Sequence, residues 1–283
     1  MALVVEKAAG IGFCFGVKRC INTLEKAAKE HGQVESLGAP VHNQQVLNRL
    51  ALHGVHIAST VDEIRGNIAA ISAHGVGPSV EAELRSRFSK VLDTTCPFVH
   101  RTQIAARRLA KAGFFVIVYG EAEHPEVKGI LGWAGGQGVA TLEHDFALTH
   151  QLPRRLGILS QTTSILPHFS EFAKKVIDAA LVRDAEIRII DTICHDMRER
   201  QQATLELARR VELMLVNGSR TSANTKHLVE LCATATKTYL IETAEEIHPA
   251  WFQDCRHIGV TSGASTPEET INQVLARLKT IAC

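Results

Sequence analysis

Two hydrophobic periods alternate along this 283-residue chain. Short β-branched runs of strand length give way to stretches whose apolar residues return every three or four positions, the spacing of one helix face. Phe114-Phe115-Val116-Ile117-Val118-Tyr119-Gly120 and Leu213-Met214-Leu215-Val216-Asn217-Gly218 read as buried strands, and Val34-Glu35-Ser36-Leu37-Gly38 is a looser third copy. Ahead of each lies a helical stretch, marked by Val17, Ile21 and Leu24 in the first case, Ile104 and Leu109 in the second, and Leu205, Leu207 and Val211 in the third. Ahead of each helix sits a cysteine. Asp93-Thr94-Thr95-Cys96 and Asp191-Thr192-Ile193-Cys194 echo one another, and Gly12-Phe13-Cys14-Phe15-Gly16 holds the same place at the start.

The repeat continues beyond these strands. Polar turns at His42-Asn43, His124-Pro125-Glu126 and Ser222-Ala223-Asn224 open further helices. Short strands follow at Val55–Ala58, 139–142 and 238–241, then acidic helical stretches such as Asp62-Glu63-Ile64 and Ala244-Glu245-Glu246-Ile247. A last strand in each copy ends in a small polar turn, at Ser72-Ala73-His74-Gly75, Gln161-Thr162-Thr163 and Gly263-Ala264-Ser265, before a closing helix. At that closing helix Thr266-Pro267-Glu268-Glu269 has a capping-box pattern. Strands alternating with helices of this length predict an α/β fold of βαβ units with mostly parallel sheets. The expected division is three pseudo-symmetric modules, 1–95, 96–190 and 191–283. Ligands of open parallel sheets collect at the carboxyl ends of the strands, where all these turns fall. Threefold packing would bring them to one central cavity.

Composition narrows the class. With 31 basic and 30 acidic residues the net charge is +1, and Arg107-Arg108, Arg154-Arg155 and Arg209-Arg210 are dispersed, so no nucleic-acid partner is expected. Apolar runs are too short to span a bilayer, and no basic segment followed by an apolar stretch opens the chain. A cytoplasmic enzyme is expected. Seven cysteines, an odd number and loosely spaced, do not make a disulfide scaffold. Cys20, Cys232, Cys255 and Cys283 occupy no repeated position, and Cys20 and Cys232 read as small core residues.

Cys14, Cys96 and Cys194 do repeat. No paired Cys-x-x-Cys loops are present to close a zinc shell, whereas three thiolates suit an iron–sulfur cluster with one open iron. Buried structural cysteines are the alternative reading. His42, His74 and His124 lie in strand-end turns and are candidate donors to an anion. Glu126 is a candidate proton relay in a closed cavity, or simply a helix-start glutamate. Thr162, Thr163, Ser222, Asn224 and Ser265 form a polar set suited to an oxygen-rich ligand, and each alone is also an ordinary cap or turn residue.

Taken in order, Gly12-Phe13-Cys14, Val41-His42-Asn43, 72–75, 93–97, 124–127, 161–163, 191–194 and 263–265 resemble the 4-hydroxy-3-methylbut-2-enyl diphosphate reductase family. The resemblance implies a trefoil of three α/β modules around a [4Fe–4S] cluster, found as [3Fe–4S] or lost after exposure to oxygen. It implies reductive loss of the substrate's allylic hydroxyl to give isopentenyl and dimethylallyl diphosphates, with electrons from a ferredoxin- or flavodoxin-type donor. Carried over, Cys14, Cys96 and Cys194 would hold the cluster. His42, His74, His124, Thr163, Ser222, Asn224 and Ser265 would bind the diphosphate substrate, and Glu126, Thr162 and His124 would serve catalysis, with Thr162 also touching substrate. Three positions depart from the family pattern: Ala223 and Met197 lack expected hydroxyls, and Phe15 is bulky beside Cys14. They leave open a divergent paralogue reducing another small hydroxylated molecule, or a redox-neutral iron–sulfur dehydratase.

Overall fold

The computed structural model describes residues 3–253 and 255–282, so Cys283 lies outside it. The elements run β1 (Val4–Lys7), α1 (Phe15–His31), β2 (Val34–Leu37), α2 (Gln44–Leu52), β3 (Val55–Ala58), β4 (Ile68–Ile71), α3 (Pro78–Arg87) and β5 (Lys90–Asp93). Next come α4 (Pro97–Lys111), β6 (Phe115–Tyr119), α5 (Pro125–Trp133), β7 (Gly138–Thr141), the short α6 (Phe146–Thr149), β8 (Arg155–Ser160), α7 (Leu166–Leu181) and β9 (Glu186–Ile189). The last part is α8 (His195–Ala208), β10 (Leu213–Asn217), α9 (Ala223–Ala233), β11 (Lys237–Ile241), β12 (His257–Ser262) and α10 (Glu268–Ala282).

Among the described residues, twelve strands make three four-stranded sheets of one design, ordered β3-β2-β4-β5, β7-β6-β8-β9 and β11-β10-β12-β1, and every neighbouring pair is parallel. The expected α/β class with parallel sheets is what forms. Side chains of the central strands alternate between two apolar layers. Ile117, Tyr119 and Ile158 pack with Phe172 and Val176 of α7, while Val116, Val118 and Leu159 pack with Leu109 of α4 and Val127 and Ile130 of α5. Burial on both faces is why these strands read as continuous apolar runs.

Three features differ from the sequence reading. The acidic stretches at 61–63 and 244–246 are single 3-10 turns, too short to bury a helical face. Thr266 donates its hydroxyl to Asn217 O (3.0 Å), tying the helix entry to the end of β10. Each sheet also has an edge strand ahead of its cysteine, β5, β9 or β1, that the apolar pattern does not announce. These edges are short and half-exposed. One of them moves a boundary. Val4–Lys7, expected in the first module, pairs with His257–Val260 of β12 and so completes the sheet of the last third. Among the described residues, no strand follows β12 to take that edge.

By contacts the chain forms two units. One comprises Met1–Lys18, Val41–Arg49 and His195–Cys283 and carries the sheet containing β1; the other comprises Arg19–Pro40 and Leu50–Cys194 and carries the remaining two sheets. Among the described residues, no helix is long and apolar enough to cross a membrane.

Candidate active site

The Asp-Thr-x-Cys echo is a device for placing a cysteine. At the end of β9, Thr192 Oγ1 donates to Ser160 O (2.6 Å) and accepts from Ser160 N (2.9 Å), latching the edge strand to the end of β8. Asp191 Oδ1 accepts from Ile193 N (3.1 Å), closing a turn that delivers Cys194. The first copy repeats this: Thr94 Oγ1 donates to Ile71 O, and Asp93 Oδ1 accepts from Thr95 N (3.0 Å). In the N-terminal copy Gly12 N donates to Ser262 Oγ instead (2.8 Å), so a serine on the neighbouring strand supplies the latch. Gly12 has φ +90°, a backbone that glycine adopts without strain.

Each cysteine amide then donates to the turn after its sheet's third strand in order. Cys96 N reaches Ala73 O (3.0 Å), Cys194 N reaches Thr162 O (2.9 Å), and in the other unit Cys14 N reaches Ala264 O (3.0 Å). Each cysteine is followed at once by a helix, α4, α8 or α1. The three share this amide bond, although Cys14 lacks the Asp-Thr spelling and takes its latch from Ser262. Exchanging Thr192 for valine keeps the shape but leaves both polar groups of the Ser160 backbone without their side-chain partner. Chemical denaturation should register a loss of about 2 kcal/mol for Thr192→Val, while Thr192→Ser retains most of the stability.

One continuous run of contacts joins the predicted residues of the larger unit. Cys96 is held at Ala73, next to His74. Gly75, at φ +70°, allows the turn there, since a Cβ would meet Thr95 Cγ2 at 2.9 Å. The His74 and His124 rings meet edge to face, 5.3 Å between centroids. His124 caps α5: its Nδ1 accepts from Glu126 N (3.2 Å), which puts the proton of the neutral ring on Nε2 and makes that nitrogen a donor. Glu126, 3% exposed, accepts from Thr162 N (2.7 Å) and Thr162 Oγ1 (2.9 Å). Thr162 O in turn holds Cys194. Burial pushes the Glu126 carboxyl up to about 7, against the two hydrogen bonds from Thr162 that favour its charged form. Thr163 is half-buried beside this run.

The smaller unit gathers the others. Ser265 Oγ donates to His42 O (3.1 Å), and Ser265 adjoins the Ala264 carbonyl that holds Cys14. Ser222 caps α9 by accepting from Thr225 N (3.4 Å), leaving its own O–H as a donor. Asn224 is 4% exposed, yet neither its Oδ1 nor its Nδ2 has a partner among the described residues. A buried amide left this way is costly unless a ligand completes it. Ala223 and Met197 are both buried, each 3% exposed. Phe15 is 58% exposed and stands on the rim of a cavity of about 570 Å³ that also touches Cys14, Asp196, Glu199, Arg200 and Glu206.

Sequence reasoning did not single out Arg200. It is 5% exposed and donates to Ser262 O (2.9 Å) and Gly12 O (2.8 Å), bracing the Cys14 loop. Burial pushes the Cys14 thiol up, while the Val17 amide and the Arg200 guanidinium pull it back. Cys20 is a buried core residue as expected, and its Sγ also lies 3.0 Å from Thr94 Oγ1. Beside it Arg19 donates to Thr95 O (3.0 Å), clamping the Cys96 loop. Burial pushes Cys20 to about 11 and Cys232 to about 12, leaving both as inert thiols at neutral pH. All six described cysteines are free of disulfides.

Comparison with known proteins bears on the family and the fold. The model of the family described as LytB protein matches residues 5–279. A 4-hydroxy-3-methylbut-2-enyl diphosphate reductase of Dehalococcoides mccartyi (strain CBDB1) is 58% identical over 275 residues, 97% of each chain. A solved structure of (E)-4-hydroxy-3-methyl-but-2-enyl diphosphate reductase, described as the terminal enzyme of the non-mevalonate pathway, is 38% identical. It aligns with a TM-score of 0.70, covering 99% of this chain and 100% of its own. A Plasmodium falciparum structure, titled as an E-1-hydroxy-2-methyl-but-2-enyl-4-diphosphate reductase, is 24% identical with a TM-score of 0.91 over 98% of this chain and 88% of its own, a likeness of fold.

Proposed function

This chain belongs to the LytB protein family, and from that premise we propose that it carries out the reaction named for its relatives. Two electrons and two protons enter 4-hydroxy-3-methylbut-2-enyl diphosphate, the allylic C–O bond breaks, and water leaves with isopentenyl or dimethylallyl diphosphate. The observation that carries this reading is the Glu126–Thr162–Cys194 run: a carboxyl poised near neutrality, one hydroxyl and one backbone step from the disulfide-free Cys194.

Cys14, Cys96 and Cys194 are the proposed holders of a [4Fe–4S] cluster. Three soft, disulfide-free thiols in one repeated geometry are the donor set such a cluster takes, with one iron left to substrate. When bound, the cluster supplies electrons singly and a Lewis-acid iron. The remaining chemistry belongs to side chains. With Glu126 ionised, Thr162 points its hydroxyl hydrogen at Oε2. With Glu126 protonated, the carboxyl O–H donates to Thr162 Oγ1, and the threonine hydrogen turns outward to the leaving hydroxyl. One hydrogen bond reversing its sense thereby passes a proton from the buried acid to substrate. Either state keeps the bond from Thr162 N to Oε1, so the relay stays aligned.

His42, His74, His124, Thr163, Ser222, Asn224 and Ser265 are proposed to bind the diphosphate, the N terminus of α9 adding its backbone donors. His124 gives its Nε2–H, and Asn224 its buried Nδ2. Removing one such bond to a charged group costs about 1.5–3 kcal/mol, so Asn224→Ala should raise the substrate KM roughly ten- to a hundredfold with little change in iron content. The three-module division is retained as a proposal, with β1 assigned to the last module. A cytoplasmic location and a ferredoxin- or flavodoxin-type donor complete the proposal. The direct test is anaerobic purification, assay of iron and sulfide, and turnover of the diphosphate with reduced viologen. Full iron with no turnover would sink the substrate assignment; no iron after anaerobic reconstitution would sink the cluster.

A further inference from the structure

A groove of about 880 Å³ lies along α4, in the larger unit, with β9 and the turn after it on its other side. Pro97, Arg101, Ile104 and Arg108 recur at three- and four-residue steps on one face of α4, with His100 beside Arg101, and all five line the groove. Arg188, Ile189 and Ile190 line it from across. The floor is apolar: Leu109 is buried, Ile104 and Ile190 are half-buried, and Ile189 is 43% exposed. The rim is basic, with His100, Arg101, Arg108 and Arg188 all exposed. Among the described residues, no carboxylate lines the groove. Arg188 is partly neutralised by Glu186 (3.2 Å) and lies over the Phe114 ring (4.3 Å), so Arg101 and Arg108 set the charge of the face. Pro97 is bonded directly to Cys96. The cavity beside Cys14 is the opposite case, lined by Asp196, Glu199 and Glu206 around Arg200.

We propose that the α4–β9 groove is the docking face for an acidic one-electron carrier protein. The inference rests on the iron–sulfur reading above, because a carrier seated there lies one residue from a proposed cluster ligand. A small apolar floor inside a charged rim suits a brief, electrostatically steered encounter, as redox partners make. Opposite charge draws such a carrier to α4, and like charge turns it away from the Cys14 cavity. Each turnover needs two visits, and a face that binds weakly and releases quickly permits them.

The experiment compares wild type with an Arg101→Glu/Arg108→Glu variant and, as a second face, a Glu199→Lys/Glu206→Lys variant. Each is assayed with reduced viologen and with an acidic ferredoxin kept reduced by its own reductase. For the α4 variant the KM for ferredoxin should rise about tenfold or more and its salt dependence should flatten, while viologen-driven turnover stays within about twofold of wild type. An unchanged ferredoxin KM in that variant, or a rise confined to the Glu199→Lys/Glu206→Lys protein, overturns the proposal. Should wild type with a full iron complement be inactive with viologen, the reductase reading fails separately. Calorimetric titration of ferredoxin then still tests the groove, since equal affinity for wild type and the α4 variant overturns it and weakened affinity supports it.

Discussion

Replacing Glu126 with glutamine should lower turnover by roughly a hundred- to ten-thousandfold, the range of a lost general acid, with iron and sulfide unchanged. Glutamine keeps the shape: its oxygen can still accept from Thr162 N, and its amide can still face Thr162 Oγ1. What it cannot do is give up a proton. Because burial raises the carboxyl from an ordinary 4.5 to about 7, the acid form is populated at neutral pH and drained above it. Wild-type turnover should therefore decline as pH rises through 7. The same shift has a sign for stability. The neutral form is the one the folded interior prefers, so its contribution is complete below 4.5 and is lost as pH climbs through 7, where charging the buried group costs roughly 3 kcal/mol. Glu126→Gln should melt higher than wild type at pH 8 and alike at pH 4. An active glutamine variant, or identical melting at both pH values, would remove Glu126 from the relay.

Serine in place of Cys194 should abolish turnover and drop iron well below the roughly four atoms per chain of an intact cluster, measured after anaerobic reconstitution. A serine hydroxyl is a hard, neutral donor at pH 7, while iron in a sulfide cage takes soft thiolate. The backbone bond from residue 194 to Thr162 O survives the exchange, so the fold should hold and the loss should be chemical. Cys232→Ser is the contrast. That thiol is buried in an apolar cluster with Leu207 and Leu228, and burying a hydroxyl there costs about 1–3 kcal/mol while leaving iron and turnover intact. Equal iron in the two serine variants would return Cys194 to an ordinary structural thiol.

Much of this architecture was legible in the chain. Three cysteines, each before a helical stretch and an apolar strand, predict three α/β repeats, and parallel sheets of identical order form. Polar turns at strand ends predict where Glu126, Thr162 and Ser265 sit. The edge strands were not legible, because Val4–Lys7 and Glu186–Ile189 are short, half-exposed and carry charges, so neither has the unbroken apolar run of a central strand. Arg200 was not legible either: on α8 it looks like any arginine of an amphipathic helix, and its bonds to the carbonyls of Gly12 and Ser262 arise only in the fold.

The sequence by itself determined period and repetition, since apolar spacing and the order of turn residues are local properties written within a few positions of one another. Tertiary structure alone decided who meets whom. Glu126 finds Thr162 across 36 positions, and Gly12 finds Ser262 across 250, through pairings that depend on how strands stack in register. Such pairings leave no mark on local spacing. Yet they set the charge of the buried acid, the latch on each cysteine loop and the brace under Cys14.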